Sequence, residues 1–156
     1  VLDSIKKTKI LPIKDFFIGY RKTRLKPGQF IHSIRIPIFN KGIFKAYKIS
    51  KRFDDDISSV CAAFNLRIEK GKIKEIKIAY GGMSALPQRA TYCEKVLLNS
   101  LITEDLISKA QSALERDFSP ISDMRASGSY RKIVAKNLLE KCFLEIRQKK
   151  IIRINT

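Results

Sequence analysis

The stretch I-S-S-V-C-A-A-F-N-L-R-I at Ile57 to Ile68, followed by E-K-G and then K-I-K-E-I-K-I-A-Y at Lys72 to Tyr80, decides the fold. Val60, Ala62, Phe64, Leu66 and Ile68 recur at period two, which places them on one face of a strand. Ser59, Cys61 and Ala63 occupy the other face and are small enough for another layer to approach closely. Lys70 and Gly71 make a two-residue loop in which Gly takes a positive φ at little cost. The two strands are therefore expected to pair antiparallel.

Working upstream, Ile43 to Ser50 reads as another strand, with Phe44, Tyr47 and Ile49, entered from a turn at Asn40, Lys41 and Gly42. Before that, Phe30, His32, Ile34 and Ile36 alternate with Ile31, Ser33 and Arg35, and Pro37 stops the pattern. Residues 1–22 alternate poorly and read as an entry segment or the tail of a preceding domain.

Downstream of Gly81 and Gly82 the period becomes helical. Thr91 to Asn99 carries Val96, Leu97 and Leu98. Thr103 is a cap, with Glu104 and Asp105 favourable to the helix dipole and Leu106, Ala110, Ala113 and Leu114 as the apolar stripe. Ser119 and Pro120 end that helix. A last helix spans about Ser127 to Gln148, its apolar residues three and four apart. Strands first and helices afterwards predict an α+β fold, an antiparallel sheet of three to four strands packed against a three-helix bundle.

A chain of 156 residues suits one ordinary domain. Its first residue is not Met, which suggests a piece of something longer. No apolar run approaches the roughly 20 residues of a membrane-spanning helix, and the first nine residues do not form a secretory signal. Cys61, Cys93 and Cys142 form no C-x-x-C pair, so neither a disulfide framework nor a zinc or iron–sulfur site is indicated, and the cytosol is the expected compartment. Lys and Arg number 32 against 15 Asp and Glu, a net charge of +17. Such an excess suits a module that binds nucleic acid or an acidic partner, but the cations are scattered through every segment, which makes nucleic acid the weaker reading.

The candidates for chemistry are few. His32 is the sole histidine, and its alternation with Phe30 and Ile34 makes it a structural or surface residue rather than a catalytic one. Gly81 and Gly82 precede Met83, Ser84, Ala85, Leu86 and Pro87 without the Lys-Ser/Thr of a phosphate loop, so they read as a tight strand exit. Asp54, Asp55 and Asp56 are the one dense acidic cluster. They suit a solvated turn, an anchor beside Lys51 and Arg52, or a partner site better than a cation cage, which needs alternating ligands or a second cluster.

Five strings, kept in order, carry a resemblance: F-F-I-G-Y-R-K-T at Phe16 to Thr23, F-I-H-S-I-R-I-P at Phe30 to Pro37, A-Y-K-I-S-K-R-F-D-D-D-I at Ala46 to Ile57, A-Y-G-G-M at Ala79 to Met83 and S-D-M-R-A-S at Ser122 to Ser127. The chain resembles the flavoprotein portion of xanthine dehydrogenases, in the molybdenum hydroxylase family that includes carbon monoxide dehydrogenase. The resemblance implies that residues 23–148 are the C-terminal subdomain of an FAD-binding region, with residues 1–22 ending the preceding subdomain and residues 149–156 a tail. It implies FAD as cofactor, NAD as electron acceptor, and as partners the upstream FAD-binding subdomains and the domains or subunits carrying iron–sulfur clusters and molybdopterin. It also implies cofactor-binding roles for Lys48, Ile31, Asp55 and Tyr20. Lys48 matches a flavin-contacting Lys, Ile31 an aliphatic flavin contact, Asp55 an acidic loop residue near the flavin and Tyr20 a ring neighbour. Phe53 departs from an Arg of the animal enzymes. The isolated fragment is expected to be inactive by itself.

Overall fold

The hairpin expected around Lys70 and Gly71 is the centre of the computed structural model, which describes residues 2–4, 7–38, 42–53 and 55–149. The chain divides into two units, residues 1–40 and 41–156.

The first unit contains β1 (Leu2–Ser4), β2 (Lys7–Lys9), a 3-10 turn at Ile13–Asp15, β3 (Phe17–Gly19), β4 (Lys22–Thr23) and β5 (Phe30–Ile31). β1 lies between β2 and β5, while β3 and β4 form a separate hairpin. The strand expected over Phe30 to Ile36 is shorter than its alternation suggested. Its partner is the three-residue β1, which pairs Leu2 with Ile31 and Asp3 with Phe30, and residues 32–38 carry no regular structure. A strand extends only as far as another strand accepts its hydrogen bonds, and Pro37 has no N–H to offer.

The second unit opens with β6 (Ile43–Ile49), β7 (Val60–Glu69), β8 (Lys72–Gly81) and β9 (Gln88–Arg89), in the antiparallel order β6-β7-β8-β9. Of the turn expected before β6, Gly42 is described, whereas Asn40 and Lys41 lie outside the described residues. Lys70 at φ 48° and Gly71 at φ 75° both take the left-handed conformation, the geometry that matches the twist of two tightly joined strands. The register shifts between Arg67 and Ile68, which lets Ile73 and Ile76 both face inward although they are three residues apart.

Three helices follow: α1 (Thr91–Leu97), α2 (Glu104–Asp117) and α3 (Gly128–Gln148). The Thr103 hydroxyl accepts the Leu106 N–H at 3.1 Å, and the Ser127 hydroxyl accepts the Tyr130 N–H at 3.1 Å. α1 stops two residues earlier than its apolar pattern because Asn99, at φ 61°, turns the chain back so that its N–H donates to the Ile73 carbonyl at 2.7 Å.

The helices cover one face of the sheet, and Val60, Phe64, Leu66, Ile78 and Tyr80 are buried there against Leu97, Leu114, Phe118, Leu138, Leu139 and Phe143. Edge-on ring contacts join Phe64 to Tyr80 at 6.0 Å and Tyr80 to Phe118 at 5.4 Å. The Tyr80 hydroxyl donates to the Ala135 carbonyl at 2.9 Å, so this ring is packed and its polar end satisfied at once. The α+β arrangement of a four-stranded antiparallel sheet against three helices agrees with the expected class. No helix among the described residues is long and apolar enough to cross a membrane.

This core makes stability sensitive to alkali. Burial pushes the Cys142 thiol up to about 12 from an ordinary 9.0, and burial likewise raises Cys93 and Tyr80. A group whose folded-state value is raised supports the fold fully below its unfolded value and loses that support as pH climbs towards the folded one. The urea midpoint is therefore expected to fall steadily between pH 9.0 and about 12, and Cys142→Ala should flatten the fall. A midpoint constant over that range would contradict it.

Candidate functional site

The face of the sheet turned away from the helices is built from the alternate positions of the same strands. Cross-strand rows run Lys48, Cys61, Gly81; then Ala46, Ala63, Ala79; then Phe44, Asn65, Lys77. The middle row, with Cys61 and Gly81 beside it, has almost no side-chain height, so these five residues form a flat shelf, bounded by Lys48 on one side and by the taller Phe44, Asn65 and Lys77 on the other. Of the small residues noted on one side of the central strand, Cys61 and Ala63 belong to this shelf, whereas Ser59 precedes the strand and is buried.

Lys48 is exposed on it because β6 is pinned by its opposite face. The Tyr47 hydroxyl donates to Glu145 of α3 at 2.9 Å, and the same buried carboxylate meets the ammonium groups of Lys45 at 3.1 Å and Lys141 at 2.8 Å. Burial, with Cys142 and this carboxylate beside it, raises the Tyr47 phenol well above its usual range. A buried carboxylate needs such partners, since desolvation of an unpaired charge costs several kcal/mol. Because side chains alternate, fixing Tyr47 inward sends Lys48 outward.

Between β6 and β7 the chain makes the acidic loop. Asp56 folds back on it, accepting the Arg52 N–H at 3.1 Å and the Ile57 N–H at 2.9 Å, and these backbone donors hold its carboxyl below the usual range. Asp55 stands exposed at φ 47°, a left-handed conformation that Asp tolerates better than most residues. Asp54 lies outside the described residues, as does most of the tail expected at 149–156. The anchoring role weighed for the aspartates thus falls to Asp56, beside Arg52.

Two further contacts fix the loop to the segment before α3. Lys51 donates to the Met124 carbonyl at 2.7 Å, and the Ser59 hydroxyl to the Arg125 carbonyl at 3.4 Å. Arg131, 4% exposed, is the node of this region. Its guanidinium donates to the carbonyls of Ser59, at 2.9 Å, and Gly82, and to the Asp123 carboxylate at 2.6 Å. Gly82 sits at φ 79°, so the glycine pair is a strand exit, as its lack of a Lys-Ser/Thr sequel predicted. Sequence reasoning missed Arg131 and Glu145. Their signal was a charged residue lying among the apolar positions of the last helix.

Lys48 and Asp55 lie at the same end of the second unit's sheet, one residue before the end of β6 and within the loop that follows it. Ile31 and Tyr20 belong to the first unit. Ile31, 46% exposed, lines a cavity of about 350 Å³ together with Ser33, Arg35, Ile10 and Phe16. Tyr20 is exposed at the β3–β4 turn, with the Arg21 guanidinium 5.3 Å from its ring centroid.

Comparison with known proteins agrees with this geometry. Residues 45–146 match the model of the CO dehydrogenase flavoprotein C-terminal domain. The chain is 30% identical over 146 residues to the glyceraldehyde dehydrogenase medium chain of Sulfolobus acidocaldarius, covering 94% of this chain and 52% of that protein. It is 37% identical over 123 residues to the xanthine dehydrogenase of Emericella nidulans, covering 76% of this chain and 9% of that protein. Among solved structures, the reconstituted CO dehydrogenase from Oligotropha carboxidovorans superposes with a TM-score of 0.79 at 25% identity, covering 88% of this chain and 48% of that one. The chain thus spans about half, or far less, of the proteins it matches. From the shelf, the matched span and these relatives, the chain belongs to the CO dehydrogenase flavoprotein C-terminal domain family, the FAD-binding portion of molybdenum hydroxylases.

Proposed function

We propose that this chain covers the flavin in a xanthine dehydrogenase-type enzyme, at the station that hands electrons from purine oxidation to NAD. The observation that carries the reading is the shelf. A planar ring system can lie flat against a surface of small side chains, and Ala46, Ala63, Ala79, Cys61 and Gly81 supply such a surface. The residues therefore fit FAD, whose chemistry when bound is the exchange of electrons between one-electron and two-electron carriers. Lys48 stands at the shelf's end without an ion-pair partner among the described residues, positioned to favour added negative charge. Asp55 acts in the opposite electrostatic sense from the adjoining loop. For Ile31 and Tyr20, in the first unit, the reading rests on the resemblance alone, which gives them an aliphatic and an aromatic flavin contact. In this reading the covering domain spans residues 23–148, with its helices and four-stranded sheet in the unit that begins at residue 41, and the iron–sulfur and molybdopterin parts are its partners in the whole enzyme.

The test is Lys48→Ala in the whole enzyme. The flavin midpoint potential is expected to drop by about 30 mV, which for a two-electron couple is about 1.4 kcal/mol. NAD reduction should slow while purine oxidation with an artificial acceptor is kept. An unchanged potential together with unchanged NAD turnover would remove Lys48 from the flavin site.

A further inference from the structure

Among the described residues β6 pairs with β7 alone, so it is a free edge of the four-stranded sheet. Alternate N–H and C=O groups of an edge strand point away from its neighbour and can accept another strand. The inward side chains of β6 tell of the same open border. Val60, Ala62 and Phe64 of β7 are fully buried, whereas Ile43, Tyr47 and Ile49 of β6 stay half-buried against the same core. Beyond the edge opens a groove of about 910 Å³, with Ile49 and Phe53 on one side and Tyr130, Ile133, Val134 and Leu144 of α3 on the other. Ile133 is 58% exposed there, an apolar side chain of a helix flank that no element of the second unit covers.

That flank runs alongside the strand and its exit. Lys45 and Tyr47 meet Glu145 at one end, and Lys51 meets the segment before α3 at the other. Tyr130 to Leu144 is about 21 Å of helix, close to the roughly 23 Å of a strand as long as β6. A fifth strand laid along β6 therefore covers the flank with every second side chain. The charges select its composition. Lys48, Lys51, Arg52 and Lys141 line the groove with one carboxylate, Glu140. Arg52 has Asp56 at 3.9 Å and Lys141 has Glu145 at 2.8 Å, but Lys51 donates to the neutral Met124 carbonyl and is in no ion pair among the described residues. A second copy of this chain is the poorer occupant, because β6 against β6 sets Lys45 and Lys48 of both copies along one seam, in molecules of net charge +17.

We infer that the β6 edge takes an antiparallel strand from an acidic partner polypeptide, with its apolar side chains on the α3 flank and its carboxylates at Lys51. Main-chain hydrogen bonds supply the affinity, and the groove reads alternate side chains. The inference does not depend on the flavin reading, since none of the five small shelf residues lines the groove. The probe is the peptide acetyl-EEVTVTVT-amide, titrated calorimetrically into the chain at low salt. One peptide is expected to bind per chain, and the version with Lys in place of both Glu to bind about tenfold more weakly. Methylating the backbone nitrogen of every second residue gives two isomers. The isomer methylated on the edge-facing set should lose binding and the other keep it, and any other pattern would overturn strand addition.

Ile133→Ser should weaken binding about tenfold, the loss of one buried aliphatic contact, and Lys51→Met about threefold, the loss of one exposed ion pair. Ile133 is largely exposed in the free chain, so its variant keeps the test valid if Lys51→Met loosens the loop. Lys74→Met removes an equal charge from an exposed position on β8 outside the groove and should leave affinity unchanged. Equal weakening by Lys74→Met would show attraction to the net charge of the chain, and the site would be overturned. Absence of saturable binding would overturn it too. So would a peptide-free chain that sediments as a dimer and becomes a monomer with Ile133→Ser, since the edge would then belong to a second copy.

Discussion

Gly82→Ala is expected to destabilise the chain severely. A Cβ at this position would lie 2.3 Å from the Ser59 carbonyl oxygen and 3.0 Å from the Arg131 guanidinium, on a backbone at φ 79° that L side chains rarely adopt. Neither neighbour can yield, because each holds the other: Arg131 donates to the Ser59 carbonyl and to that of Gly82 itself. Backbone strain and loss of the buried donor's partners combine to more than about 4 kcal/mol, a large share of the 5–15 kcal/mol that holds an ordinary domain together. Gly81→Ala is the matched comparison. There the added carbon meets Cys61 Cβ at 3.7 Å, an ordinary contact, and the change should stay within about 1 kcal/mol. Thermal unfolding followed by circular dichroism separates the two, and similar melting of both variants would refute the account of Gly82.

Glu145→Ala is expected to cost about 3 kcal/mol, the lower end for breaking a buried ion pair. The lower end applies because Lys45, with 29% of its side chain exposed, and Lys141, with 15%, can turn their ammonium groups towards water once the carboxylate is gone. The Tyr47 hydroxyl then loses its carboxylate acceptor. Glu145→Gln keeps an acceptor for that hydroxyl and should cost less than Ala. Urea unfolding of the two variants checks the order. Wild-type stability in Glu145→Ala would mean that the carboxylate does not fasten β6 to α3.

Local pattern was enough wherever one element's own residues settle its state. The hairpin was legible because period-two apolar residues flank a loop in which glycine can turn, and the helices because Thr103 and Ser127 precede periodic runs. The outward face of Lys48 followed from Tyr47 and Ile49 on either side of it. What stayed hidden depends on distant residues. Arg131 acquires its role from Ser59 and Gly82, 72 and 49 positions away, and a lone arginine among apolar positions does not reveal such partners. The shortness of β5 is set by β1, not by its own alternation. Which of the aspartates turns inward was equally hidden, since Asp55 and Asp56 differ through the path of the loop and not through their chemistry.

The node at Arg131 also bears on how this region moves. One guanidinium joins the entry to β7, the exit from β8 and the approach to α3 from that helix's own first turn. Strand end, strand exit and helix start therefore open and close as a single cooperative unit, and the loop carrying Asp55 takes its local stability from that unit rather than from its few contacts of its own.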